Sequence, residues 1–255
     1  MRLNFQVQGE GFPLIILHGF LGSLDNWRSV SKKLSASSKV YSLDLRNHGD
    51  SPHSEIMNYS IMVHDLRDFC AEQKIHDAHL LGHSMGGKVA MQFTLENPAL
   101  VNKLMVVDIA PKAYPTSQRV LLETLRGLDL SRFQSFREID MALAPAIKKP
   151  RLRGFLLKNL ARDSVRGFRW KINLDALIKN YDELTKNIPV REPSNKPSLF
   201  IRGGQSKYIQ DEDFPLIKRW FPEAQIATIQ NAGHWVQADA PVEFLQLVEG
   251  FLAQT

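Results

Sequence analysis

The chain has 255 residues, 44% hydrophobic and 23% charged, with one cysteine; this is an ordinary globular composition. It excludes a disulfide-stapled scaffold, and no apolar run is long enough to cross a bilayer. The net charge of +5 at a pI of about 9.3 is local: the segment from Lys112 to Glu192 carries 17 basic and 9 acidic residues, against 15 and 18 elsewhere.

The opening "MRLNFQVQGEGFPLIIL" reads as strand, turn and strand, with strands at Leu3–Val7 and Pro13–Leu17. It shows no export leader, and Cys70 reads as buried filler in a helix, so a cytoplasmic protein is expected. A helix follows over Asp25–Leu34, with Asp25 as its N-cap candidate, then a strand at Lys39–Leu43 and a helix at Ser60–Gln73. Next come a strand at Ala78–Leu81, a helix at Met85–Glu96 stopped by Asn97-Pro98, and a strand at Lys103–Val107. Residues 116–187 show no convincing strand and read as short amphipathic helices. Strand logic resumes at Pro197–Ile201. A helix over Asp211–Trp220, a strand at Gln225–Ile229 and a helix at Pro241–Leu252 close the chain. Alternation on both sides of a helical insert implies an α/β fold. Its mostly parallel twisted sheet is formed by 1–111 and 193–255, with an inserted helical cap at 112–192. The ligand site of such a sheet lies beyond the carboxyl ends of its strands.

Four stretches fall at those ends: "HGFLGS", "GHSMGG", "DIAP" and "NAGHW". Gly82-His83-Ser84-Met85-Gly86 fits G-x-S-x-G between a strand and a helix, where a sharp turn exposes the serine hydroxyl. Ser84 is therefore the candidate nucleophile. It needs a base. Of eight histidines, only His234 follows the last strand, in the fold's Ser…Asp…His order. His83 flanks the nucleophile with its ring expected to point away. His18 is expected to brace the loop after the second strand, and His53, His64, His76 and His79 to lie on surfaces or helix faces. The acid commonly follows the penultimate strand, but Ser206 stands there, and Asp211 and Asp213 look like a helix start. Asp108, at the end of "LMVVDIAP", faces the same crevice and is the acid of choice. Asp44 is expected to pair with Arg46 in a turn. The backbone N–H groups of Phe20 and Met85 are the candidate oxyanion donors.

These stretches resemble the α/β-hydrolase superfamily, and within it the bacterial YbfF-type esterases. The resemblance rests on "LHGFLGSLDNW", "LDLRNHGDSPHS", "GHSMGGKVAM", "VVDIAP", "IRGGQSKYI" and "AGHWVQADAP". It implies an intracellular serine esterase with a small helical cap, acting on short or medium acyl esters, with acyl-CoA thioesters left open as a further substrate class. It carries the nucleophile, acid and base onto Ser84, Asp108 and His234. Ser206 is no departure, because the subfamily resembles this chain there too.

Lys148–Lys171 holds nine basic residues against one acid, Asp163. Read as one helix over Arg151–Arg162, it would place Leu152, Phe155, Leu156 and Leu160 on one face and Arg151, Lys158 and Arg162 on the other. These three are the candidate contacts for an anionic substrate handle such as the phosphates of coenzyme A, and Trp235 is a further candidate substrate contact. A non-catalytic anion or nucleic-acid binder is the rival class, but no nucleic-acid motif accompanies the charge. Carbon–carbon hydrolysis, lyase action or peracid formation on the same triad stay open. With no metal-ligand spacing and no P-loop, no cofactor is expected. The expected partner is a small acyl ester or acyl-CoA, not nucleic acid or membrane.

Overall fold

A computed structural model describes residues 1–163, 167–189 and 192–254. The strands and helices, in chain order, are β1 (Phe5–Gln8), β2 (Phe12–Leu17), α1 (Arg28–Leu34), β3 (Ser38–Leu43), α2 (Tyr59–Glu72), β4 (Ala78–His83), α3 (Met85–Glu96) and β5 (Val101–Val107). An insert follows: α4 (Arg119–Arg126), α5 (Phe136–Leu143), α6 (Pro150–Leu157), β6 (Leu160–Asp163), β7 (Gly167–Trp170), α7 (Leu174–Lys179) and α8 (Tyr181–Thr185). The chain closes with β8 (Ser198–Gly203), α9 (Phe214–Trp220), β9 (Ala224–Ile229), α10 (Val236–Asp239) and α11 (Pro241–Leu252).

Seven strands form one sheet in the order β1-β3-β2-β4-β5-β8-β9. Only the β1–β3 pairing is antiparallel. The inner strands are apolar runs such as "PLIIL" and "LMVV" because both faces are covered. On one face, Ile15, Leu17, Leu80 and Val106 pack with α2, α3 and α9; on the other, Leu14, Ile16, Leu81 and Val107 pack with α1, α10 and α11. All parallel strands share one carboxyl edge, which collects the loops after β2, β4, β5, β8 and β9.

The insert packs into the first of these clusters. Leu122, Leu125, Ile139, Leu156, Leu177 and Leu184 belong to the same continuous cluster as Val89 and Phe93 of α3. Polar ties add to it. Asn159 donates to the Leu21 carbonyl at 2.8 Å and Tyr59 to the Leu184 carbonyl at 2.6 Å.

Several local expectations are corrected. Asp25–Leu34 opens as a 3-10 turn over Leu24–Trp27, capped at Ser23, and Asp25 instead pairs with Arg28. Asp211–Trp220 likewise begins as a 3-10 turn, Asp211–Asp213. The stretch Arg151–Arg162 is not one helix. It stops at Leu157, and Leu160–Asp163 pairs antiparallel with Gly167–Trp170. The break has a cause at Asn159, whose buried amide is spent on the carbonyls of Leu21 and Leu156. Asp44 does not pair with Arg46. It accepts the N–H groups of Leu24 and Asp50, whereas Arg46 makes a buried two-pronged pair with Asp65.

Candidate active site

The elbow begins with a steric constraint. Ser84 has φ 51° and ψ −116°, a conformation disfavoured for any residue with a side chain. A Cβ on Gly82 would lie 2.3 Å from the Gly86 carbonyl oxygen, and one on Gly86 would lie 2.4 Å from the Leu17 oxygen. Only glycine fits at either position, and the tight turn lifts Ser84 to the N-terminus of α3.

Asp108 also has positive φ, 50°, at the end of β5, and is fully buried. Its carboxylate accepts three hydrogen bonds. The Gly203 N–H reaches Oδ1 at 3.1 Å; His234 Nδ1–H reaches Oδ2 at 2.8 Å; the Ser206 hydroxyl donates to the same Oδ2. Ser206 thus stands at the β8 loop as a donor to the carboxylate supplied by β5.

His234 is held from three sides. Asp108 fixes Nδ1 as the protonated nitrogen, leaving Nε2 free to accept. His83 donates from Nε2 to the His234 carbonyl at 2.8 Å, so the His83 ring faces the His234 loop rather than pointing away. Tyr208 stacks on the imidazole at 3.8 Å between centroids, 17° from parallel. No hydrogen bond joins Ser84 Oγ to His234 in this state; such bonds often tighten only with substrate in place. Removing the Tyr208 ring, as in Tyr208→Ala, is expected to lower kcat by about 10- to 100-fold through misplacement of the imidazole. Tyr208→Phe keeps the stack and should recover most of the rate. Steady-state kinetics across pH on both variants checks this; equal losses in the two would contradict it.

His18 and His48 build the loop after β2. His18 donates from Nδ1 to the Gly19 carbonyl and accepts the Leu45 N–H at Nε2, as expected of a bracing residue. His48 donates to the Arg46 carbonyl and accepts the Leu21 N–H. Burial pushes His18 down to about 4 and His48 to about 3, and holds His83 well below its usual value. All three are therefore neutral at neutral pH. The unfolded chain protonates these rings near 6.5 and so binds more protons than the folded one below that pH. Stability is fully present above about pH 6.5 and should fall as pH drops toward the folded values, by up to about 1.4 kcal/mol per pH unit per histidine. Thermal melts between pH 7.5 and about pH 4.5 read this directly; a flat Tm would refute it.

Ser84, Met85 and Phe20 line one narrow cavity of about 60 Å³, with Lys88, Ile109, Gln118 and a ring of tyrosines, Tyr59, Tyr114, Tyr181 and Tyr208. Burial raises Tyr59, Tyr114, Tyr181 and Tyr208 above the usual phenol value, so all are neutral. The four candidate substrate contacts Arg151, Lys158, Arg162 and Trp235 do not line this cavity. Arg151 pairs with Asp239 and lies over the Trp235 ring at 5.4 Å. Trp235 packs on Phe155 of α6. Lys158 is exposed at the end of α6. Arg162 lies on β6 over the Phe168 ring. Of the other basic residues there, Arg153 is spent on Asp140 and Lys171 on Asp50, and Arg166 lies outside the described residues. Sequence reasoning missed Lys88 and Tyr208. The signal for Lys88 was the one basic residue of α3, one turn after Ser84 on the same face at i, i+4.

His64, Asp65 and Asp68 come together in one group of potential metal ligands among the described residues. Asp65 is already matched by Arg46, and Asp68 by the Met1 amine. No helix of the described residues is long and apolar enough to cross a membrane.

The comparisons with known proteins agree with this architecture. Residues 13–241 match the alpha/beta hydrolase fold family. The chain is 37% identical to the mouse sn-1-specific diacylglycerol lipase ABHD11 over 94% of its own length and 80% of that protein. It is 31% identical to the Escherichia coli esterase YbfF, covering 99% of each. A solved marine microorganism esterase superposes with a TM-score of 0.95 at 42% identity, covering 98% of both chains. By its sheet, its match and these relatives, the chain belongs to the alpha/beta hydrolase fold family, among its esterase- and lipase-type members.

Proposed function

We propose that the protein is a serine carboxylesterase that cleaves short-to-medium acyl esters through a Ser84–His234–Asp108 triad. The observation that carries this reading is the buried Asp108 carboxylate bonded to His234 Nδ1 beside a strained Ser84. His234 Nε2 takes the hydroxyl proton as Ser84 Oγ attacks the ester carbonyl. The Met85 and Phe20 N–H groups, at the N-terminus of α3 and in the loop after β2, hold the oxyanion. The proton passes to the leaving alcohol, and a water activated by His234 then releases the acid. Tyr208 and His83 position the imidazole. The small cavity favours acyl groups of few carbons, and the insert over it acts as a cap.

The test is turnover of p-nitrophenyl butyrate together with labelling by a fluorophosphonate. The expected result is hydrolysis and a stoichiometric mass shift on the peptide carrying Ser84. Labelling elsewhere, or no turnover of any simple ester, would overturn the reading.

Acyl-CoA thioesters belong to the same chemistry, and exposed Lys158 and Arg162 offer charge to a phosphate-bearing handle. If they read it, kcat/KM for butyryl-CoA should exceed that for butyrate on a small uncharged thiol by more than about tenfold. The advantage should shrink in a Lys158→Gln, Arg162→Gln variant and at high salt. A ratio near one would assign those charges to solvent alone.

A further inference from the structure

Lys88 is 1% exposed, in the wall of the cavity that holds Ser84. An ammonium is costly to bury without an anion. Among the described residues its side chain makes one hydrogen bond, to the Lys186 carbonyl at 2.6 Å, and the faces of Tyr59 and Tyr114 lie 5.3 and 5.0 Å from Nζ. An ammonium has three N–H donors, and the carbonyl takes one. The carboxylates of the adjoining segments are committed elsewhere: Asp108 to His234, Asp213 to Lys112, Asp182 to Arg119 and Glu183 to Lys186. Among the described residues Lys88 has no ion-pair partner. Burial pushes it down to about 7. The aromatic faces attract a cation but leave its hydrogen-bonding capacity unfilled.

We infer that Lys88 is a specificity-determining residue that binds a carboxylate at the far end of the acyl group, so that half esters of short dicarboxylic acids are the preferred substrates. This rests on the esterase reading above. Ser84 and Lys88 are one helical turn apart and line the same small cavity, a separation suited to an acyl chain of few carbons. An entering carboxylate would supply the missing charge and take the donors the carbonyl leaves, in a site already desolvated. Charge-assisted hydrogen bonds are strong there. A neutral acyl group of the same shape would leave the ammonium unpaired. A merely structural role, tying α3 to the end of α8 through the Lys186 carbonyl, predicts no such selectivity.

The experiment compares monoethyl succinate with ethyl 4-oxopentanoate, a neutral ester of nearly the same shape, in wild type and in Lys88→Met. The expected result at pH 6.5 is a kcat/KM ratio above about ten in favour of the half ester, equivalent to about 1.4 kcal/mol. In Lys88→Met the ratio should fall to one or below. Succinate binding, followed by calorimetry, gives a second readout that needs no turnover. It should weaken by about tenfold or more in Lys88→Met. In wild type it should also weaken above about pH 7, where the free lysine loses its proton, with no matching change in the variant. Lys88→Gln serves if Lys88→Met does not fold. A wild-type ratio at or below one, or a ratio unmoved by the substitution, overturns the inference while leaving the esterase reading intact. Failure of wild type to cleave either ester while it still turns over p-nitrophenyl butyrate overturns the inference alone; failure on all three overturns the esterase reading. Lysine-dependent succinate binding would then still support Lys88 as an anion site.

Discussion

Ser84→Ala is expected to lower kcat/KM for p-nitrophenyl butyrate by roughly 10,000-fold or more, the usual consequence of removing a nucleophile that works as a unit with its base. The oxyanion donors are backbone groups and survive the change, so a small residual rate over water is expected. The fold should not suffer, because Ser84 Oγ makes no hydrogen bond among the described residues. The backbone goes further. At φ 51° and ψ −116° the serine is held in a region that costs about 1–3 kcal/mol for a residue with a side chain. Ser84→Gly should therefore be as inactive as Ser84→Ala yet melt higher than wild type. Paired kinetics and thermal melts of both variants check this. Appreciable activity in either would remove Ser84 from the mechanism, and a lower Tm for the glycine variant would deny that the elbow is strained.

Asp108→Asn is expected to cost roughly 10,000-fold in kcat, with KM much less affected. The carboxylate accepts from His234, Gly203 and Ser206 at once. An amide has one acceptor oxygen and one donor nitrogen. With the oxygen kept by the Gly203 N–H at the Oδ1 position, the amide N–H group would stand at the Oδ2 position, facing His234 and Ser206, and favour the His234 tautomer with its proton on Nε2, where it cannot act as base. Asp211→Asn is the control. Asp211 is 77% exposed and pairs with Arg202, so its loss should change kcat by less than about twofold. The reverse pattern would move the acid to the loop after β8.

The parallel sheet and the triad candidates were legible because they follow from short-range rules. Apolar runs such as "PLIIL" mark strands buried on both faces, and the glycines around Ser84 announce a turn nothing else can make. Helices α3 and α11 match their expected bounds, Met85–Glu96 and Pro241–Leu252. What could not be read depended on distant partners. The β6–β7 hairpin has only four residues a side, and its first strand follows a helix with the same amphipathic pattern. The break is set by Asn159 reaching across to Leu21. His83 looked turned away because sequence cannot show that the loop after β9 returns over it. Lys88 drew no reading, because in sequence it is one basic residue on a helix. Only the tyrosines from α2 and the insert, together with the Lys186 carbonyl, reveal it as an enclosed cation.

The insert's apolar side chains run into the same continuous cluster as those of α3, so displacing it would expose part of that cluster to water. The same sharing limits modular engineering. A foreign insert grafted between β5 and β8 would have to rebuild its share of that cluster as well as a new specificity surface. Tuning selectivity residue by residue along the cavity wall is the route this architecture leaves open.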